Sequence, residues 1–447
     1  MKIKVDFSKV VGDMRPMHAI DQPPMFQLNG RLMHYLSEAG MPYSRLHDVQ
    51  GVMGSNLYVD IPNIFRDFDA DENLPSSYSF AFTDELIRQI IEQNVQPIFR
   101  LGVTIENYPQ FGAFRIYPPK DFAKWARICE HIVRHYNEGW ADGFNYGIRY
   151  WEIWCEPDDA NFENAISYLW KGTPEQFFEM YTITAKHLKA CFGDSIAVGG
   201  YGSCGFHRAF EVDPNVEGIP YTPKEYASGR CQFAHRFFQY ISKEKAPIDF
   251  FSWHSYDTVE GTVRQAEYCR RLLAKYGYED VPDILDEWNV NPFMPKERNS
   301  EKTAADAFAM MLTMQNRTKT AMLNYYDGRC GASVYSGLFN PDTWEPYLTY
   351  FVFKLFNDAF VLKKQVFAES ENGSVIVCAA ANEKRKVVLL VNQTSEPSAL
   401  TLDFVGANAD DAEIIMTNCE YKNTLTGKTV VDCTMTLPPY TCAELRI

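Results

Sequence analysis

The sequence contains no run of about 18 consecutive apolar residues, the length that crosses a bilayer, so a soluble protein with no membrane partner is expected. Its opening stretch, MKIKVDFSKVVGDMRPMHAI, interrupts every apolar segment with Asp6, Lys9, Asp13 or Arg15, leaving no h-region of an export signal. The eleven cysteines are odd in number and scattered, and no Cys-x-x-Cys pair occurs. That disfavours a disulfide framework and a zinc ribbon, and favours free thiols in a reducing cytoplasm. Positive charge is short as well: 43 Lys and Arg stand against 58 Asp and Glu, a net charge of −15. Phosphate neutralisation needs clustered cations, so no nucleic-acid partner is expected. Tandem repeats, low-complexity tracts, Gly-x-Ser-x-Gly and Walker A patterns are missing too.

What is present is a regular alternation of short apolar runs with helix-length amphipathic segments, the pattern of βαβ units around a parallel sheet. Eight strands are expected, at Arg15–Ile20, Tyr43–Val49, Val95–Leu101, Ile148–Trp154, Ser195–Gly200, Ile248–His254, Asp283–Glu287 and Thr320–Tyr326. Helices are expected at Asp84–Gln93, Asp121–Tyr136, Pro174–Cys191, Val263–Tyr276 and Ala304–Gln315, with Thr83 and Thr173 as N-caps. This is the α/β class, as a (β/α)8 TIM barrel over residues 1–350. Beyond it the pattern turns to alternating runs at Ser374–Ala380, Lys386–Val391, Ala399–Phe404, Ala412–Met416 and Thr434–Leu437. These predict a C-terminal β-sandwich over residues 351–447, an accessory domain rather than a separate sugar-binding module.

Active sites of such barrels form at the C-terminal ends of the strands. Two strand ends carry carboxylates. Tyr150 to Asp158 reads YWEIWCEPD, and strict alternation would send Glu152, Trp154 and Glu156 to one face, with Glu156 last before Pro157 stops the ladder. Ile284-Leu285-Asp286-Glu287-Trp288-Asn289 ends the seventh strand, and either Asp286 or Glu287 faces inward. Paired carboxylates on opposite sides of an anomeric carbon are the requirement of glycosidic bond cleavage. The sixth strand ends in Ser252-Trp253-His254-Ser255-Tyr256, where His254 and Tyr256 share a face, and His18 and His47 stand near the ends of the first two strands. Aromatic residues, 15% of the chain, suit the flat C–H faces of sugars as well as a large core.

Metal and thiol chemistry fit less well. His131 and His135 stand four apart on one helix, but Ile132-Val133-Arg134 between them lacks the glutamate of the His-Glu-x-x-His pattern. Cys155 has no histidine near it in sequence to act as its base. No metal and no cofactor are expected.

With these segments in order, the chain resembles glycoside hydrolase family 39, the β-xylosidase and α-L-iduronidase family. The matching segments are Arg15-Pro16-Met17-His18, Tyr43 to His47, Trp151 to Pro157, Val198-Gly199-Gly200, Ile248 to Tyr256 and Leu285 to Asn289. The resemblance implies a retaining, exo-acting, β-xylosidase-like hydrolase of a glycoside or oligosaccharide. In it Glu156 is the acid/base and Glu287 the nucleophile, and His47, His254 and Tyr256 line the subsite of the sugar being cleaved; His18, Trp154, Cys155, Trp288 and Tyr326 are further substrate-binding candidates. Alternatives are a retaining glycosidase for an arabinofuranoside, glucoside, galactoside or uronide, and a sugar-binding pseudoenzyme. Self-association into a homo-oligomer is left open. Two features depart from the family. Cys155 stands where the family usually has an asparagine that contacts the sugar 2-hydroxyl, and a thiol is a much weaker hydrogen-bonding group. Asp327 and Arg329 follow the eighth strand, where the family often has a tryptophan-rich end.

Overall fold

A computed structural model describes residues 1–25, 30–47, 59–104, 116–161, 166–167, 169–207, 209–212, 226–290, 299–330 and 337–447. Eight parallel strands close into a barrel in chain order: Ala19–Asp21, Tyr43–Leu46, Gln96–Leu101, Tyr150–Ile153, Ala197–Ser203, Phe250–Ser255, Asp283–Trp288 and Met322–Tyr326. The expected second strand ran on to Val49, and its last two residues lie outside the described residues.

Strand alternation builds the barrel interior in layers. Ala19, Ile98, Ala197, Phe250, Ile284 and Met322 form an apolar floor, with Tyr43 and Tyr150 packed against it. Two residues further along the same strands the inward side chains are Asp21, Arg45, Arg100, Glu152, Ser252, Asp286 and Asn324, every one fully or almost fully buried. One more step reaches His47, His254 and Tyr326 at the C-terminal rim. The other face of each strand, with Phe99, Trp151, Ile153, Trp253, Leu285 and Leu323, packs outward against the helices in the main hydrophobic core.

Helices follow the strands as expected, including Phe122–Glu138, Pro174–Phe192, Val259–Lys275 and Glu301–Arg317. Thr173 closes a capping box with Gln176, which satisfies two of the first backbone donors. Thr83 does not cap: its helix begins earlier, at Ala81–Glu92, with Phe80 in the cap position. His131 and His135 serve this outer layer. Nδ1 of His131 donates to Arg127 O at 2.9 Å, while His135 stacks on Phe80 and meets Asp84 and Trp140 O.

The C-terminal strands belong to one nine-stranded sheet, hydrogen-bonded throughout. The chain's first strand, Lys2–Asp13, counted with the barrel in the division at residue 350, lies inside this sheet. It pairs antiparallel with Lys364–Ser370 and parallel with Ser398–Val405. Helix Leu348–Phe360 runs across the expected boundary. Both faces of the central strands are apolar because both are covered. Val375, Val377, Ala379, Val388 and Leu390 point into the sheet's own core with Ile3, Val5 and Leu402. Cys378, Ala380, Val387, Leu389 and Val391 join the barrel's core. All eleven cysteines are free thiols. Among the described residues no helix is long and apolar enough to cross a membrane.

Candidate active site

Two departures from regular strand geometry shape the rim. After Ile153 the chain leaves the ladder, and Trp154 and Glu156 take positive φ, 70° and 46°. The period of two therefore fails at the strand end, and Cys155 turns into the barrel where Trp154 was expected. Trp154 is 1% exposed, its ring lies 5.1 Å from Trp170, and its indole N–H donates to Leu169 O at 2.8 Å. On the seventh strand the register with the sixth shifts between Leu285 and Glu287. An extra residue there lets Asp286 and Glu287 both face inward.

Arg45 is the centre of the charged layer and is fully buried. Its Nη1 donates to Asp21 at 2.7 Å and to Glu287 Oε2 at 3.3 Å, its Nε to Glu152 at 2.8 Å, and its Nη2 to Cys155 Sγ at 3.3 Å. Asp286 Oδ2 lies 3.0 Å from Arg45 Nε. Burial pushes the Asp286 carboxyl well up, and the neighbouring Glu152 adds to that against the pull of Arg45. For Glu152 burial acts in the same direction, but Arg45 and the hydrogen bonds it accepts hold it below the ordinary value. Ser252 donates to Glu152 at 2.6 Å and accepts from Gly202 N at 2.7 Å. Gly202 has φ +59°, and a Cβ there would stand 3.2 Å from Arg45, Glu152 and His254 alike.

Above this layer, one oxygen each of Glu156 and Glu287 and a ring nitrogen of His254 lie within 4.8 Å of one another. Glu156 is anchored by its N–H, which donates to Gly202 O at 2.9 Å. His254 Nδ1 is 2.7 Å from Glu156 Oε1. Burial lowers His254 to about 4, so at neutral pH this contact is a hydrogen bond of a neutral ring. Burial also raises Glu156 to about 7, with the charge of Asp159 adding to the rise. The Tyr256 hydroxyl donates to Glu287 Oε1. Burial raises Glu287, Glu156 adds to the rise, and His254, Arg45 and the Tyr256 bond oppose it.

Of the residues expected from sequence, the structure gathers His47, Cys155, Glu156, His254, Tyr256, Glu287 and Tyr326. His47 Nε2 is 3.8 Å from Cys155 Sγ, a neighbour that sequence distance concealed. Burial keeps Cys155 a thiol, far above the ordinary cysteine range, and holds His47 well below its ordinary value with help from Arg45 and Arg100. The pair is thus unsuited to thiolate chemistry. Tyr326 meets Tyr256 edge to face at 6.3 Å, and its hydroxyl accepts from Arg329 Nη2 at 3.1 Å. Arg329 is bound by Asp327 Oδ2 at 2.6 and 2.9 Å, which neutralises its charge.

Three residues expected in the subsite lie elsewhere. His18 is fully buried between Phe356 and Phe360, donates to Gly40 O at 3.1 Å, and is lowered by burial to about 4. Trp154 packs edge to face on Trp170, and Trp288 is fully buried against Tyr325 at 5.0 Å. Trp154 and Trp288 face outward at the C-terminal ends of their strands, whereas His18 precedes its strand, Ala19–Asp21, at the end away from the site. The charged layer as a whole, and Asp21 and Arg45 within it, went unread in the sequence. Its signal is an arginine or carboxylate two residues before a polar strand end, as in Arg45 before His47 and Glu152 within an otherwise apolar strand.

Comparison with known proteins finds relatives of the chain in sequence and in fold. A β-xylosidase of Geobacillus stearothermophilus is 24% identical over 242 residues, covering 52% of this chain and 41% of the relative. A β-xylosidase of Caldicellulosiruptor saccharolyticus is 24% identical over 315 residues, covering 65% and 54%. The chain therefore spans about half the length of these curated relatives. Among solved structures, a glucosidase from Croceicoccus marinus matches with a TM-score of 0.78 at 19% identity, covering 100% of this chain and 98% of that one. A monomeric β-xylosidase from Caulobacter crescentus CB15 matches with a TM-score of 0.68 at 14% identity, covering 100% and 99%. These two likenesses speak for the fold. The model of glycosyl hydrolases family 39 matches residues 1–317, and the chain belongs to that family.

Proposed function

We propose that the protein is a retaining, exo-acting glycosidase of β-xylosidase type, with a glycoside or short oligosaccharide as substrate. The observation that carries this reading is the approach of Glu156 and Glu287 to within 4.8 Å around His254. Retaining enzymes hold their two carboxyl groups about 5–5.5 Å apart, whereas inverting enzymes need room for a water between them. Glu156, raised to about 7, keeps its proton near neutrality and donates it to the leaving oxygen. Glu287, oriented by Arg45 and Tyr256, attacks the anomeric carbon and forms the glycosyl ester. Glu156, now an anion, then takes a proton from the water that releases the sugar.

The nine-stranded sheet acts as an accessory sandwich that supports the barrel, since its outer face is spent on the barrel's core. The free thiols suit a reducing compartment. A panel of aryl xyloside, arabinofuranoside, glucoside, galactoside and glucuronide tests the activity and names the sugar. Glu156→Ala and Glu287→Ala are each expected to lower turnover on the best substrate by at least about a hundredfold. Near-normal turnover in either variant contradicts the assignment, and sugar binding without turnover in the unaltered protein identifies a pseudoenzyme.

A further inference from the structure

Glu156 has a neighbour on its own loop that double displacement does not use. Asp159 N donates to Glu156 O at 3.1 Å, and one atom each of Glu156, Asp159 and Cys204 lie within 4.8 Å of one another. The Asp159 carboxylate is 3.4 Å from Nη2 of Arg230, on helix Tyr226–Glu244. Nη1 of Arg230 donates to Cys204 O at 2.8 Å, which ties the cation to the fifth strand's end. The side chains of Arg230 and Asp159 keep only 13% and 16% exposure, so water screens their fields poorly.

Other groups face Glu156 from every side. The sixth strand supplies His254, neutral at its low value, the seventh Glu287, and the second Arg45. Its own loop adds Asp158, which accepts from Ser203 Oγ at 2.5 Å and Cys204 N at 3.1 Å, and which burial raises to about 7. Asp158 is thereby committed to pinning the loop. Burial is the largest influence raising Glu156. Among the charges Asp159 raises it most and Arg230 lowers it most.

Resting on the reading of Glu156 as general acid, we infer that Asp159 and Arg230 are positioning residues. Acting through Glu156 with opposite signs, they set the pH at which it gives up its proton. Neither touches the reacting atoms. A carboxylate a few ångströms from an acid disfavours the anion, and a guanidinium at similar range favours it.

The test is the pH profile of kcat/KM on a glycoside with a poorly acidic leaving group, so that proton donation limits the rate. Asp159→Asn is expected to move the basic limb down by about one pH unit, and Arg230→Gln to move it up by a similar amount. Arg230→Lys, which keeps the charge, leaves the limb where it was even if packing changes lower kcat. Unmoved limbs in both charge-removing variants, or limbs that move in the same direction, overturn the inference. Glu156→Gln separates the two readings. Loss of the basic limb there, with an unmoved limb in Asp159→Asn, overturns only the role of Asp159, whereas persistence of the limb in Glu156→Gln overturns the role of Glu156 itself.

Discussion

Buried beside Asp21, Glu152, Asp286 and Glu287, the Arg45 guanidinium compensates carboxylates that cannot all ionise without it. Removing one partner of such a buried group costs about 3–5 kcal/mol, because the remaining charges stay desolvated. Arg45→Met is expected to show a loss of that size near neutral pH. The sign of its pH dependence follows from the raised carboxyls. A group whose folded pKa lies above its unfolded value binds more protons when folded, so its contribution falls as pH rises through that window. Asp286 and Glu287 already behave this way, and without Arg45 they do so more strongly and Glu152, now held low by Arg45, joins them. The deficit of Arg45→Met should therefore shrink as pH is lowered from about 8 to about 5, read from urea midpoints of both proteins. A deficit constant across that range contradicts the electrostatic role and leaves only packing. Glu156, Glu287 and His254 were legible in the sequence because each ends an apolar strand run. Trp154 was misread because a tryptophan at a strand end looks the same whether it faces the sugar or the helices, and His18 because the strand expected at Arg15–Ile20 begins only at Ala19, which leaves His18 before it. The deciding facts, a positive φ at Trp154 and Phe356 and Phe360 packing around His18, lie in backbone geometry and in contacts across hundreds of residues.

At the scale of elements, the barrel strands follow from periodicity, and the observed ends differ from the expected ones by a few residues at most. The first strand, Lys2–Asp13, is the exception. Its alternation of Ile3, Val5 and Phe7 is plain, but its partners lie at Lys364–Ser370 and Ser398–Val405, and local pattern carries no information about so distant a pairing. Ile3 and Val5 are fully buried in the sheet's core. Ile3→Ala is expected to cost about 2–4 kcal/mol, measured by denaturant unfolding. A cost below about 0.5 kcal/mol, the range of surface substitutions, would mean that this strand does not hold the sheet together. The bulge at Asp286 and Glu287 was equally invisible in the sequence, which left open which of the two faces inward. The register shift answers that both do.

For the whole molecule, barrel and sheet share one hydrophobic cluster through Cys378, Ala380, Leu389, Val391 and Cys442, so the sheet braces helices Glu301–Arg317 and Leu348–Phe360 behind the seventh and eighth strands. The strand bearing Glu287 pairs with the strand bearing His254, whose ring meets Glu156. On the proposed mechanism this frame presents Glu287 to the anomeric carbon as a nucleophile while Glu156 handles the proton. Following the first-formed sugar anomer by NMR during hydrolysis of the best aryl glycoside tests it most directly. Retained configuration is the predicted result. An inverted product would contradict the covalent role of Glu287 and the account built on it.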